Sequence, residues 1–323
     1  MKKLLLLMIS AMACIAMLTG CGAAGENRKD DGKYSIVCTT FPQYDWIREI
    51  AGECADSFEL TLLLDNGGEL HSYQPTAQDM VEILSADLFV YVGGESDEWV
   101  EDALKGAANE NMTVVNLMER LGDAVREEEA VEGMQDAETH DGEETEYDEH
   151  VWLSVKNAAA LTQTLLEELS RLDAANAQTY AANAAAYVEK LTALDREYAD
   201  AAAGSEKKTI LFGDRFPFRY LADDYGLDYY AAFAGCSTET EASFETITFL
   251  AGKADELGLD SILVIDGSDK KIAEAIRQNT QSKNQRILTM DSMQSVTSDD
   301  IDNGFTYLDA MQDNLEVLKE ALS

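Results

Sequence analysis

Residues 173–203 contain neither glycine nor proline, and that stretch narrows the possible architecture more than any other part of the chain. It is rich in alanine, and apolar or aromatic residues return at helical spacing through Tyr180, Ala184, Tyr187, Leu191, Leu194 and Tyr198. Asp173 suits an N-cap and Gly204 a stop. At 1.5 Å per residue the predicted helix is about 45 Å long, enough to run the height of two domains. Heptads are not sustained, so a coiled coil is not indicated. On both sides of it, apolar β-rich runs alternate with helical patterns. Strands are predicted at 34–40, 58–64, 88–92 and 113–117 before it, and at 208–212, 228–233, 261–265 and 286–290 after it. Helical patterns such as 44–51, 77–84, 98–105 and 244–257 lie between them. Such alternation predicts parallel sheets. The expected fold is therefore α/β, with two lobes of mainly parallel sheet, 34–172 and 204–323, joined by one long rigid helix over 173–203.

The N-terminus, 1–20, reads as a secretion signal, because Lys2 and Lys3 precede an apolar run from Leu4 to Leu18. The tetrapeptide Leu18-Thr19-Gly20-Cys21 resembles a bacterial lipobox, which would leave Cys21 as a lipid-bearing first residue. A small, polar tether over 21–33 follows. These features predict an extracytoplasmic protein held to the cell membrane by lipid, and a monomer is expected. The formal net charge of −38 argues against a nucleic-acid partner, since phosphates would repel it, and favours weak long-range attraction of cations. Apart from Cys14 and Cys21, the cysteines are Cys38, Cys54 and Cys236, an odd number with no CxxC spacing. They read as buried or inert thiols, although Cys236 lies on a loop from which it could serve as a ligand.

The chain has three histidines. His71 stands in Gly68-Glu69-Leu70-His71-Ser72-Tyr73-Gln74-Pro75-Thr76, and His150 in Asp148-Glu149-His150-Val151-Trp152-Leu153. The third, His140, sits inside the acidic segment 126–148, which has almost nothing apolar to bury and is expected to be a mobile loop offering secondary metal capture. Imidazole is the commonest protein ligand for zinc and related ions. Ligands of parallel α/β lobes bind beyond the carboxyl ends of the strands, and His71 follows a predicted strand through a turn-rich segment to that edge. Trp152 and Leu153 are available to anchor His150. Asp291, after the strand 286–290, and Asp214, after the strand 208–212, occupy the equivalent edge of the second lobe. Two imidazoles from one lobe and carboxylates from the other predict a small nitrogen and oxygen site between the lobes, suited to Zn²⁺ or Mn²⁺. Glu239 and Glu241 are further acidic residues on a later loop.

At these residues the chain resembles the metal-binding lipoproteins that feed zinc or manganese to ABC importers, a family with two lobes and a helical backbone. The resemblance runs from about Tyr34 to the C-terminus. Thr39-Thr40-Phe41-Pro42, both histidine segments, Ala86-Asp87-Leu88-Phe89-Val90-Tyr91-Val92-Gly93 with Glu98-Trp99, and Tyr307 and Met311 with Asn314-Leu315 carry it. It implies an ABC-type metal permease as partner. One departure stands out. Before Tyr225-Gly226-Leu227, where zinc members place a third histidine and manganese members a glutamate, this chain has Gly213-Asp214-Arg215-Phe216-Pro217-Phe218. Arginine has no lone pair to offer, so the third ligand is left open between Asp214, a glutamate of the later loop, and water. The acidic loop sits where zinc members carry a histidine-rich one, which favours zinc over manganese but implies weaker, less selective capture.

The expected function is a non-enzymatic receptor that captures a divalent metal and delivers it to a permease. A secreted zinc-dependent hydrolase built on His71, His150 and Asp291 is the rival from a different class. It is disfavoured because the chain has neither H-E-x-x-H nor G-x-S-x-G. The same fold could instead carry heme, a siderophore or a corrinoid, but paired histidines fit a bare ion better.

Overall fold

The computed structural model describes residues 32–68, 70–106, 109–135, 146–237 and 241–323. The secretion signal, Cys21, most of the tether, His140 and Glu239 lie outside them. The first half reads β1 (Tyr34–Cys38), α1 (Phe41–Ala51), β2 (Phe58–Leu62), α2 (Ala77–Ser85), β3 (Leu88–Tyr91), α3 (Trp99–Leu104), β4 (Thr113–Asn116) and α4 (Leu117–Leu121). Two long helices follow, α5 (Val155–Leu172) and α6 (Ala177–Gly204). The second half reads β5 (Thr209–Phe216), α7 (Arg219–Tyr225), β6 (Asp228–Ala234), α8 (Phe244–Glu256), β7 (Ser261–Ile265), α9 (Lys271–Asn279), β8 (Arg286–Met290), α10 (Ser298–Asp302) and α11 (Tyr307–Ala321).

Each half forms a four-stranded parallel sheet, ordered β2-β1-β3-β4 in one and β6-β5-β7-β8 in the other. The strands β1 and β7 are buried along their whole length, as expected where helices cover both faces of a parallel sheet. In each sheet the chain moves to one side of its first strand and then crosses to the other, which opens a crevice at the carboxyl ends. The eight strands fall where the sequence pattern puts them, with one informative difference. Strand β5 continues past Phe212 to Phe216, with a register shift between Phe212 and Arg215. Asp214 therefore lies within the irregular part of a strand, not beyond its end.

Helix α6, at 1.5 Å per residue, is about 42 Å long. It buries Tyr180, Ala184, Tyr187, Leu191, Leu194, Tyr198 and Ala202 along one face. It starts at Ala177, behind Asn176, because Asp173 belongs to the preceding turn. The Asp173 amide closes α5 on Leu169, and its carboxylate accepts from Asn176 and from the Tyr180 hydroxyl at 2.9 Å. The buried stripe of α6 joins the two lobes into one continuous core. That core holds Ile36 and Val90 of the first sheet together with Phe212, Leu263 and Met290 of the second.

The acidic segment departs from expectation in its described parts. Residues 125–135 leave the first lobe and lie on the second, returning at 146–148. The two limbs pair in antiparallel fashion at Glu127 and Tyr147, with Glu128 N donating to Glu146 O at 3.0 Å and Asp148 N to Arg126 O at 2.9 Å. Gln135 N donates to Ala232 O of the edge strand β6 at 3.0 Å, and the Gln135 side chain accepts from Ser243 N. Arg219 pairs with Glu129, and Arg126 with Asp223. Val131 and Met134 supply the apolar anchor: Met134 is buried in the shared core and Val131 packs against it. Between them Gly133, at φ +87°, sits so close to the Phe249 ring of α8 that even a Cβ would overlap it. The described limbs, 125–135 and 146–148, form a strap from the first lobe onto the second.

Candidate metal centre

His71 comes from a short 3₁₀ turn after β2, which Thr76 and Asp79 close by forming a reciprocal capping box at the start of α2. His150 comes from the returning limb of the strap and is fully buried. The Trp152 ring lies 5.3 Å from the His150 ring, centroid to centroid. Trp152 Nε1 donates to Ser292 O at 2.9 Å, and Trp152 O accepts from the Tyr307 hydroxyl at 2.6 Å. The Asp148 carbonyl accepts from the Tyr220 hydroxyl at 2.7 Å. His150 is thus fastened to the second lobe on both sides, although it reaches the site from the first.

The two imidazoles meet through like atoms. His71 Nε2 and His150 Nε2 are 3.2 Å apart. Their other nitrogens are already committed. His150 Nδ1 lies 2.9 Å from Asp148 Oδ1, which also accepts from the His150 amide. His71 Nδ1 lies 2.9 Å from Ser96 Oγ and 3.4 Å from Glu149 Oε2, an ion-pair distance. Glu149 is held in turn by Ser96 N at 2.8 Å. Carboxylates at Nδ1 favour the tautomer with the proton there, so that both Nε2 lone pairs point into one small volume. A tetrahedral ion with nitrogens at 2.0–2.1 Å separates two of them by about 3.3 Å, so this spacing is that of two ligands on one zinc.

Cys236 completes the group. Its sulfur lies with the two imidazole nitrogens inside 4.8 Å, on the loop that leaves β6. Gly235 makes this approach possible, since a Cβ there would stand 3.2 Å from His150 Nδ1 and 2.9 Å from Phe216 O. Glu128 of the strap fixes the loop by accepting from Cys236 N at 2.9 Å. Asp214 and Asp291 stand outside this group. Burial raises the Asp214 pKa, while bonds from Ser268, the Arg215 amide and the Ile265 backbone lower it, so its carboxylate is occupied beside the end of β7. Asp291 accepts from Met293 N at 2.8 Å, capping its own turn, and burial together with neighbouring Asp266 pushes its pKa up.

A cleft of about 330 Å³ reaches His71, with His150 buried behind it, and Glu95, Glu98, Glu128, Glu146 and Glu149 line it. Burial and mutual repulsion raise the pKa values of Glu95 and Glu128, so a cation entering the cleft relieves an existing strain. Burial alone would raise Glu149 too, but His71 and Ser96 hold it below the usual carboxylate range. Burial opposes charge on His150, yet Asp148, Glu149 and Glu128 outweigh it and raise its pKa. Burial and the same carboxylates push the Cys236 thiol well up. Asp148→Asn preserves shape but removes the charge behind His150. It is expected to weaken zinc binding roughly 10- to 100-fold, read by competition with a chelating dye.

The sequence reading placed both histidines but passed over Ser96, Asp148, Glu149 and Glu128 as orienting groups. The acidic pair directly before His150 was the available signal for two of them.

A family model described as the periplasmic zinc-uptake complex component A matches residues 36–321. The zinc-binding lipoprotein AdcA of Streptococcus pneumoniae is 32% identical over 326 residues, covering 99% of this chain and 61% of the relative. The chain thus spans only part of the length of that relative. The high-affinity zinc uptake system protein ZnuA of Bacillus subtilis is 28% identical over 316 residues, covering 96% of this chain and 95% of its own. Among solved structures, the Zn(II)-bound ZnuA-like domain of S. pneumoniae AdcA is similar with a TM-score of 0.69. That match has 27% identity and covers 90% of this chain and 99% of the domain.

Proposed function

Because the chain belongs to the family of periplasmic zinc-uptake components, we propose that it captures a divalent metal ion, zinc before manganese, and hands it to an ABC importer. The observation that carries this reading is the pair of Nε2 atoms 3.2 Å apart, each on a ring whose Nδ1 faces a carboxylate or hydroxyl. Such a pair is a ready half of a coordination sphere. His71 and His150 are its ligands, and the glutamate-lined cleft collects the cation and guides it inward. The lipobox-like Leu18-Thr19-Gly20-Cys21 supports anchorage to the outer face of the cell membrane, with Cys21 as the lipidated residue. The relatives named above are binding and uptake components, which supports a receptor rather than an enzyme.

Zinc titration of the full chain by calorimetry, repeated across pH, tests the proposal. Zinc and the proton compete for imidazole nitrogen. With the His150 pKa raised above its ordinary 6.5, that competition begins at a higher pH than for a free histidine. Affinity is expected to fall progressively as the pH drops from mildly alkaline through neutral. The metal-free fold responds in the opposite sense. Protonated His150 stabilises it fully below about 6.5, and that contribution is lost as the pH rises through the raised value. Zinc affinity that stays constant over this interval would remove imidazole from the ligand set.

A further inference from the structure

Cys236 is set apart from the other described cysteines by its surroundings. Cys38 is buried in the first sheet, whereas Cys236 is only partly covered and its sulfur shares a 4.8 Å group with His71 and His150. It lines the same cleft as the five glutamates. Two independent features hold it there. Gly235 lets its backbone lie against the His150 ring, and Glu128 takes the Cys236 amide at 2.9 Å. Neither feature is needed merely to bury a small side chain. Of the second-lobe carboxylates at the strand ends, Asp214 is engaged by the Arg215 amide and by the end of β7, and Asp291 by the Met293 amide of its own turn.

We propose that Cys236 is the third ligand, so that the site is His₂Cys, with a thiolate supplied across the lobe boundary to two imidazoles. This deepens the metal-capture reading and rests on it. As the ion enters between the Nε2 atoms, the thiol releases its proton to solvent and a metal–sulfur bond forms. The sulfur stays at its reduced level, so no oxidant or reductant is involved. The fourth position is left to water or to a cleft glutamate. A thiolate changes the cargo that the site prefers. Soft sulfur favours zinc and other thiophilic ions, whereas manganese prefers carboxylate and water oxygen. The third ligand is therefore also the residue that sets selectivity.

The test loads the full chain with Co²⁺ as a spectroscopic stand-in for zinc, alongside Cys236→Ser and His71→Ala. The wild-type protein is expected to show a sulfur-to-cobalt charge-transfer band in the near ultraviolet. Cys236→Ser is expected to lose that band while keeping the visible ligand-field bands of a cobalt still held by the histidines. The zinc-over-manganese affinity ratio is expected to fall on the order of tenfold or more in Cys236→Ser. To guard against misfolding, a second measurement leaves Cys236 unaltered in a Cys54→Ser background and reads alkylation at Cys236 itself by peptide mass. Zinc should protect its thiol from alkylation. Cobalt bound through the histidines without the charge-transfer band, or an unchanged ratio with no thiol protection, would overturn the thiolate ligand and leave metal capture standing. Cobalt and zinc binding that His71→Ala does not affect would instead overturn the capture site itself.

Discussion

Replacing His71 and His150 together with alanine is expected to lower zinc affinity roughly a thousandfold or more. Loss of groups that only orient a ligand costs about 10- to 100-fold, and loss of two ligands exceeds that. The two replacements should differ in their effect on the fold. The His71 ring looks into the cleft, and its removal empties space that solvent can fill. His150 is fully buried against Trp152, and its truncation leaves a void, with a cost on the order of 1–2 kcal/mol. Melting curves of the zinc-free variants separate this penalty from the binding loss measured by chelator competition. A double variant that binds zinc as tightly as the parent would move the site elsewhere.

The Gly133→Ala substitution is expected to lift the strap without altering any charge. The turn from Val131 to Met134 is closed by Met134 N donating to Val131 O at 3.1 Å, and Gly133 occupies it at φ +87°. This is the position where a type II turn asks for glycine. Alanine adds backbone strain of about 1 kcal/mol and drives a methyl group into Phe249, for a combined loss of about 2–4 kcal/mol. Once the turn lifts, Met134 leaves the core and Glu128 leaves Cys236. Proteolysis near the strap should accelerate, and zinc affinity should fall by about tenfold, the effect of losing an orienting partner. Unchanged cleavage and unchanged affinity would show that the strap does not hold the Cys236 loop. The same experiment on Gly122→Ala is a control, since that glycine also has positive φ but open space where a Cβ would go.

The fold was legible because its signals are local. The periodic stripe from Tyr180 to Tyr198 marks a helix face, and runs such as Ser261–Ile265 mark strands buried on both sides. His71 and His150 were legible because histidine is scarce in this chain, and His71 because it also follows a strand. What sequence reasoning missed depends on contacts between distant residues. The acidic composition of 126–148 hid the Val131 and Met134 pair, whose three-residue spacing around a glycine was the only trace of a docked turn. Asp214 was expected at a strand end because the strand pattern weakens at Gly213. In the structure Gly213 abuts the Ala273 backbone and the strand carries on through a bulge. Cys236 gave no spacing signal at all. Its place beside the histidines follows from the path of the β6 loop and from the absence of a side chain at Gly235.

The core shared by the two sheets has a mechanical consequence. Tyr187, Leu194 and Tyr198 of α6, with Met311 and Leu318 of α11, belong to the same packed cluster as both sheets. Swinging the halves apart would bring such side chains into water, at about 1.5–3 kcal/mol for each one fully uncovered. A hinge built this way is stiff. On the proposed reading, exchange of the ion is left to small displacements at the rim. These fall in the 93–97 and 235–237 loops, which are held by hydrogen bonds, and in the strap limbs, where Met134 alone reaches the core. The importer of the proposed function would have to work on that rim to draw the ion out. The dwell time of the ion then follows the opening rate of a few surface segments, while the body of the molecule keeps its shape.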